Sequence, residues 1–220
     1  MNQSRNNIMS YKFGIKFLYD LASLEFMIIS ISGVAGAGKG TVGRMLAEKL
    51  NYKYYSIGDV RRELALKRGM TIEEFNVLGE TEDTDGQADE YQKELGRTKD
   101  NFVIDGRLSW YFIPQSLKVF LHCETEVASK RIYNDGSPAR INQKKANSLE
   151  EQIVLTTERD LSDRRRYERH YKIHNLIDPK HFDVYIDDTY MTPEQVVDEI
   201  MVYVAKKEKK DKGILDFDKV

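Results

Sequence analysis

The segment Gly33-Val34-Ala35-Gly36-Ala37-Gly38-Lys39-Gly40-Thr41 constrains this chain more than any other. It follows an apolar run, Ile28-Ile29-Ser30-Ile31-Ser32, that reads as a short buried strand, and it precedes a stretch with Val42, Met45, Leu46 and Leu50 at helical spacing. Glycines at such a junction let the backbone curl with its N–H groups turned inward, and the helix that follows adds its positive end. A lysine in that nest can reach the outer phosphates of a nucleotide. The alternative is an ordinary glycine-rich turn, which the flanking strand and helix patterns disfavour. Gly33, Gly36, Ala37, Gly38, Lys39, Gly40 and Thr41 are thus the candidate ATP contacts.

Further strand candidates are Lys53–Ser56, Asn101–Asp105, Leu117–His122 and Asp183–Asp187, with helical patterns between them. Strands separated by helices predict an α/β fold with a mainly parallel five-stranded sheet covered on both faces. Ser148 with Glu151 opens a long charged helix that runs to about Tyr171. Thr192, Pro193 and Gln195 open the last helix, whose buried face is Val196, Val197, Ile200 and Val204. Gly136, Ser137 and Pro138 mark a turn in a polar insertion between Tyr133 and Asn147, expected to act as a short mobile lid. The domain is expected over residues 27–205, after an N-terminal extension at 1–26 expected to be poorly ordered and before a charged tail at 206–220.

At 220 residues the chain suits one sizeable domain, and 32% charged residues suit a solvated surface. A net charge of -2 supplies no general pull toward nucleic acid. No stretch approaches the ~18 consecutive apolar residues of a membrane span. The single cysteine, Cys123, allows neither an intramolecular disulfide nor a cysteine-built zinc cluster, which fits a monomer in a reducing cytoplasm. The four histidines, His122, His170, His174 and His181, lack compact ligand spacing and read as structural or surface residues.

In the glycine loop the residue after the lysine is Gly40, where a magnesium-binding hydroxyl is usual, and the hydroxyl comes at Thr41. This Gly-Lys-Gly-Thr ending resembles adenylate and cytidylate kinases, and so the nucleoside monophosphate kinases. The resemblance spans about residues 27–205 and implies ATP and Mg²⁺, with Lys39 catalytic and Asp105 holding the metal through water. Thr41 is the nearest loop hydroxyl for the same ion.

The acceptor side extends the likeness. Ser56-Ile57-Gly58-Asp59-Val60-Arg61-Arg62 resembles the segment in which an arginine four residues after a glycine holds the acceptor phosphate, which implies Arg62, with Ser56 beside it. Asp105-Gly106-Arg107 resembles the short form found in cytidylate kinases. Arg159, Asp163 and Arg166 stand at i, i+4 and i+7, one helical stripe, and match an arginine, an acid and an arginine that meet the acceptor in that family. Arg107, Arg159 and Arg166 are therefore implied to be catalytic. A solvated helix face laced with ion pairs is the alternative for that stripe. Residues 69–96 are similar to the acceptor helices of archaeal-type cytidylate kinases, with Asp85, Asp89 and Gln92 at polar positions. Gln92 offers both a donor and an acceptor to a base. Leu108 departs from bacterial cytidylate kinases, which carry a base-reading aspartate there.

The implied reaction moves the ATP γ-phosphoryl group to a nucleoside monophosphate, CMP or dCMP first. Small-molecule nucleotides are its expected partners. Two alternatives stay open: an adenylate or other small-molecule P-loop kinase, and a non-catalytic nucleotide switch or RNA-associated module using the basic run 164–169.

Overall fold

The computed structural model describes residues 27–136 and 143–211. The expectations for residues 1–26, and for the lid and tail at 137–142 and 212–220, lie outside the described residues. Five strands, β1 Ile28–Gly33, β2 Lys53–Ser56, β3 Phe102–Asp105, β4 Leu117–His122 and β5 Val184–Asp187, form one wholly parallel sheet in the order β2-β3-β1-β4-β5. All six residues of β1 are buried, as a central parallel strand covered on both faces requires.

Helices α1 Lys39–Leu50 and α8 Pro193–Asp211 cover one face. There Val42, Leu46, Leu50, Val197, Ile200 and Val204 pack on Ile29, Ile31, Val119 and Leu121. Each such side chain contributes about 1.5–3 kcal/mol on leaving water. On the other face Ile28, Phe102 and Ile104 meet Ile57 of α2 (Ile57–Lys67), Ala88 and Leu95 of α4 (Gly86–Thr98), and Ile113. Between α2 and α4 lies α3 (Ile72–Leu78), which Thr71 and Glu74 open with a capping box. The short α5 (Ser109–Phe112) follows β3, and α6 (Thr125–Tyr133) follows β4.

The long α7 (Leu149–Tyr171) begins at Ser148, whose hydroxyl accepts from the Glu151 N–H. Its buried stripe is polar, comprising Gln152, Thr156, Ser162, Asp163, Arg166 and Tyr167. Such a stripe is costly unless every group finds a partner, so α7 faces a site rather than a core. The capping box expected at Thr192 and Gln195 is present, and α8 continues to Asp211, where it runs beyond residue 205.

The register gathers the chemistry. Ser56 pairs with Asp105 across β2 and β3, and Ile31 pairs with Asp105 across β1 and β3. The carboxyl ends of three adjacent strands thus present Ser56, Asp105 and Gly33 along one edge, where open α/β sheets bind ligands.

Candidate active site

The glycine loop is held by close backbone approach. Gly36 has φ +79°, and a Cβ there would stand 2.5 Å from the Ala128 carbonyl oxygen on α6. At Gly33 the added carbon would lie 2.3 Å from the Leu121 carbonyl oxygen. Neither position admits a side chain. Gly38 is left-handed at φ +73° and caps α1, whose first turn points its N–H groups into the loop.

Lys39 folds back over this nest and donates to the Gly33 and Val34 carbonyl oxygens at 3.0 and 2.6 Å. Burial lowers its pKa to about 7, and the positive charges of Arg107 and Arg159 push the same way against Asp105 and Asp160. Asp105 lies beside the loop: a Cβ at Gly40 would be 3.4 Å from both Asp105 Oδ2 and Tyr54 Oη. Tyr54 donates to that carboxylate at 2.8 Å. Burial raises the Asp105 pKa, while hydrogen bonds from Ser56 and Tyr54 and the charge of Lys39 oppose the rise. A carboxylate in this place, with the Thr41 hydroxyl at the start of α1, suits a water-coordinated Mg²⁺ that arrives with its nucleotide.

One cleft of about 530 Å³ joins the loop to the sheet edge and to α7. Ser56, Arg62, Gln92, Asp105, Arg107, Arg159, Asp163 and Arg166 all line it, together with residues 36–41. Gly33 stands behind them, and its carbonyl also accepts from Arg107 Nη1 at 2.9 Å. The α7 stripe is therefore inward and converges with the segments after β2 and β3.

Asp163 organises the cations. It is 3% exposed, forms an ion pair with Arg107 Nε at 2.8 Å and accepts from Arg166 Nη2 at 2.7 Å. Burial would raise its pKa, but Arg107, Arg166, Arg159 and Arg61 outweigh that and hold the carboxyl well below its usual range. For Arg107, burial is overcome by Asp163 and Asp160, the latter 2.5 Å away, so its charge is secure. Arg166 is 1% exposed and also bonds Asp85 at 2.8 Å and the Tyr167 hydroxyl at 2.8 Å. Arg159 Nε and Arg166 Nη1 are buried donors without a partner among the described residues. Buried guanidinium donors left open in a cleft suit an incoming phosphate.

Sequence reasoning passed over several lining groups. Arg61 is more buried than Arg62; it donates to Asn76 Oδ1 at 2.9 Å, pairs with Asp85 and lies over the Phe75 ring. Ile57, Arg61 and Ala65, spaced i, i+4, i+8, are the buried stripe of α2, and that spacing was the signal. Arg62 pairs with Asp59 at the cleft mouth. At the far end of the loop Arg131 donates to Asp188 at 2.6 Å, beside Met191 and Pro193. The histidines lie apart: His170 bonds the Gly79 carbonyl, His174 pairs with Glu168, and His181 stacks on Trp110. Among the described residues no helix is long and apolar enough to cross a membrane.

A family model described as an AAA domain matches residues 29–155, loop and sheet edge included. The chain is 36% identical over 183 residues to the cytidylate kinase of Archaeoglobus fulgidus, covering 82% of this chain and 96% of that one. The chain belongs to the nucleoside monophosphate kinase family, among cytidylate kinases of the archaeal type. The cytidylate kinase of Methanococcoides burtonii is 32% identical over 164 residues, with coverage of 74% and 88%. The shikimate kinase from Bacteroides thetaiotaomicron superposes on this nucleotide kinase with a TM-score of 0.56 at 16% identity, covering 82% of this chain and 99% of that one. That likeness shows the P-loop kinase fold.

Proposed function

We propose that this kinase transfers the γ-phosphoryl group of ATP to CMP and dCMP, giving ADP and the cytidine diphosphates. One observation carries the reading: a single cleft holds the lysine-bearing glycine loop, the Asp163-centred arginines and the polar face of α4. The cytidylate kinase names of the relatives support the choice of acceptor.

In this reading the loop N–H groups and Lys39 hold the β and γ phosphates. Arg107, Arg159 and Arg166 hold the acceptor phosphate, with Arg62 at its rim. The acceptor phosphate has a second pKa near ~6 and is already an ionised nucleophile at neutral pH, so no general base is needed. Its oxygen attacks the γ phosphorus in line, and the bridging oxygen leaves with ADP. Lys39 and the arginines offset the charge that spreads over the transferring group. Mg²⁺, brought by ATP and held through Asp105 and water with Thr41 nearby, would neutralise phosphate charge. The kinase is proposed to act as a monomer in the cytoplasm, with residues 27–205 as its catalytic domain.

The test is an acceptor panel of CMP, dCMP, UMP, AMP and GMP at fixed MgATP, read as ADP release. CMP and dCMP should show the highest kcat/KM. Preference for AMP would move the chain to adenylate kinases, and ATP binding with no acceptor used would sink the reading.

A further inference from the structure

The part of the cleft built by α3, α4 and α5 has an apolar wall that includes Ile72, Ala88 and Leu108, around two polar side chains of α4, Asp89 and Gln92. Leu108 can make no hydrogen bond to a base, and Asn76 and Asp85, which also line the cleft, pair with Arg61 and Arg166, so the polar pair of α4 is the candidate reader. Gln92 is 2% exposed. Its Oε1 accepts from the fully buried Ser109 hydroxyl at 2.7 Å, and its Nε2 lies 3.5 Å from Asp89 Oδ1, the outer limit of a hydrogen bond. A serine hydroxyl can face either side of an amide, but a carboxylate only accepts. The neighbouring Asp89 therefore assigns the NH₂ to its own side and leaves the carbonyl to Ser109. Asp89 Oδ2 in turn accepts from the Tyr171 hydroxyl at the end of α7. The helix thus presents a fixed acceptor, Asp89, beside a fixed donor, Gln92 Nε2.

Resting on the reading of this cleft as a nucleoside monophosphate site, we propose that Asp89 and Gln92 sort acceptors by the amino or keto character of the base, and that Asp89, which takes the Gln92 amide N–H, fixes the polarity of the pair. Cytosine offers an exocyclic amino donor beside a ring-nitrogen acceptor, which complements the pair. Uracil offers a carbonyl acceptor beside an N–H donor, so each group meets its like and both are left unpaired in a buried site. Adenine has the same order as cytosine. Polarity therefore divides amino from keto bases, and ring size against the apolar wall divides cytosine from adenine.

Asp89→Asn puts an amide donor where the carboxylate stood, at nearly the same size, and Gln92 can then turn its carbonyl oxygen toward that side. The Ser109 hydroxyl can accept as well as donate, so it permits the turn. With MgATP fixed, kcat/KM for CMP should fall while that for UMP rises in absolute terms, narrowing the ratio by at least about tenfold, mainly through KM. A lesion of packing alone would lower both. The binding measurement on the wild type serves if Asp89→Asn melts early. Calorimetric binding of CMP and UMP to the wild-type chain without ATP reads the base independently of turnover, and CMP should bind more tightly. Parallel losses with CMP and UMP in Asp89→Asn, or equal binding of the two by the wild type, would overturn the proposal. Failure to phosphorylate any monophosphate, with CMP still bound more tightly than UMP, would remove the kinase reading and leave the base selection standing.

Discussion

ATP binding should draw a proton onto Lys39. The free lysine, half-buried and facing Arg107, has its pKa lowered to about 7, so it is charged below that pH and neutral above it. A bound polyphosphate supplies the anion that the free loop lacks, and the ammonium form becomes the bound form. At pH 8 about nine in ten free molecules carry a neutral lysine, so binding should take up about 0.9 proton, against about 0.1 at pH 6. By the same linkage, ATP affinity should fall by up to about tenfold per pH unit above 7. Phosphate groups, with second pKa values near ~6, are already ionised at pH 8 and do not supply the uptake. Titration calorimetry in Hepes and in Tris at pH 8 measures it, since the apparent enthalpy shifts by the proton number times the buffer ionisation enthalpy. Lys39→Met should abolish the dependence on buffer. No uptake at pH 8, or equal uptake in that variant, would refute the reasoning.

Three further outcomes are expected. Arg166→Met removes one of the two arginine partners of Asp85 and of Asp163, which keep Arg61 and Arg107, and should cost about 1.5–3 kcal/mol in urea unfolding, beyond any loss of turnover; a change below about 1 kcal/mol would mean the arginine is not structural. Gly36→Ala should weaken ATP binding by at least about tenfold, because it sets a side chain against the Ala128 carbonyl at positive φ; unchanged affinity in a fluorescent-nucleotide titration would contradict the loop geometry. Asp105→Asn should reduce kcat and raise the Mg²⁺ concentration needed for half-maximal rate, with Tyr54→Phe weaker in the same direction by roughly tenfold. A magnesium titration unaltered in both variants would remove Asp105 from the metal.

The sheet was legible because its strands are short apolar runs between turn residues, and the departures have local causes. β3 starts at Phe102 and not Asn101 because Asn101 takes φ +56°, a turn conformation. The polar stripe on α7 was visible as spacing, but spacing alone could not say whether it faced water or the cleft; its burial and its pairs with Arg107 and Asp85, from distant segments, decide that. Arg61 was overlooked in favour of its neighbour because a motif counts residues, whereas burial follows the helix period. Partnerships such as Ser109 with Gln92 or Arg166 with Asp85 join distant segments and leave no trace in local pattern. Those pairings depend on tertiary packing.

The Gly33 carbonyl oxygen accepts from both Lys39 and Arg107, the first of which the proposed function gives to the donor nucleotide and the second to the acceptor. Two cations thus share one acceptor atom, and what happens to either is felt by the other. If ATP draws Lys39 off that oxygen, Arg107 gains an undivided partner, so its cost of staying in place for the second substrate falls. The dependence runs equally in reverse, since coupling between two ligands is a single free energy read from either side. Occupancy of one half of the cleft therefore prepares the other, and the two substrates should show mutual synergy in their dissociation constants where independent sites would show none.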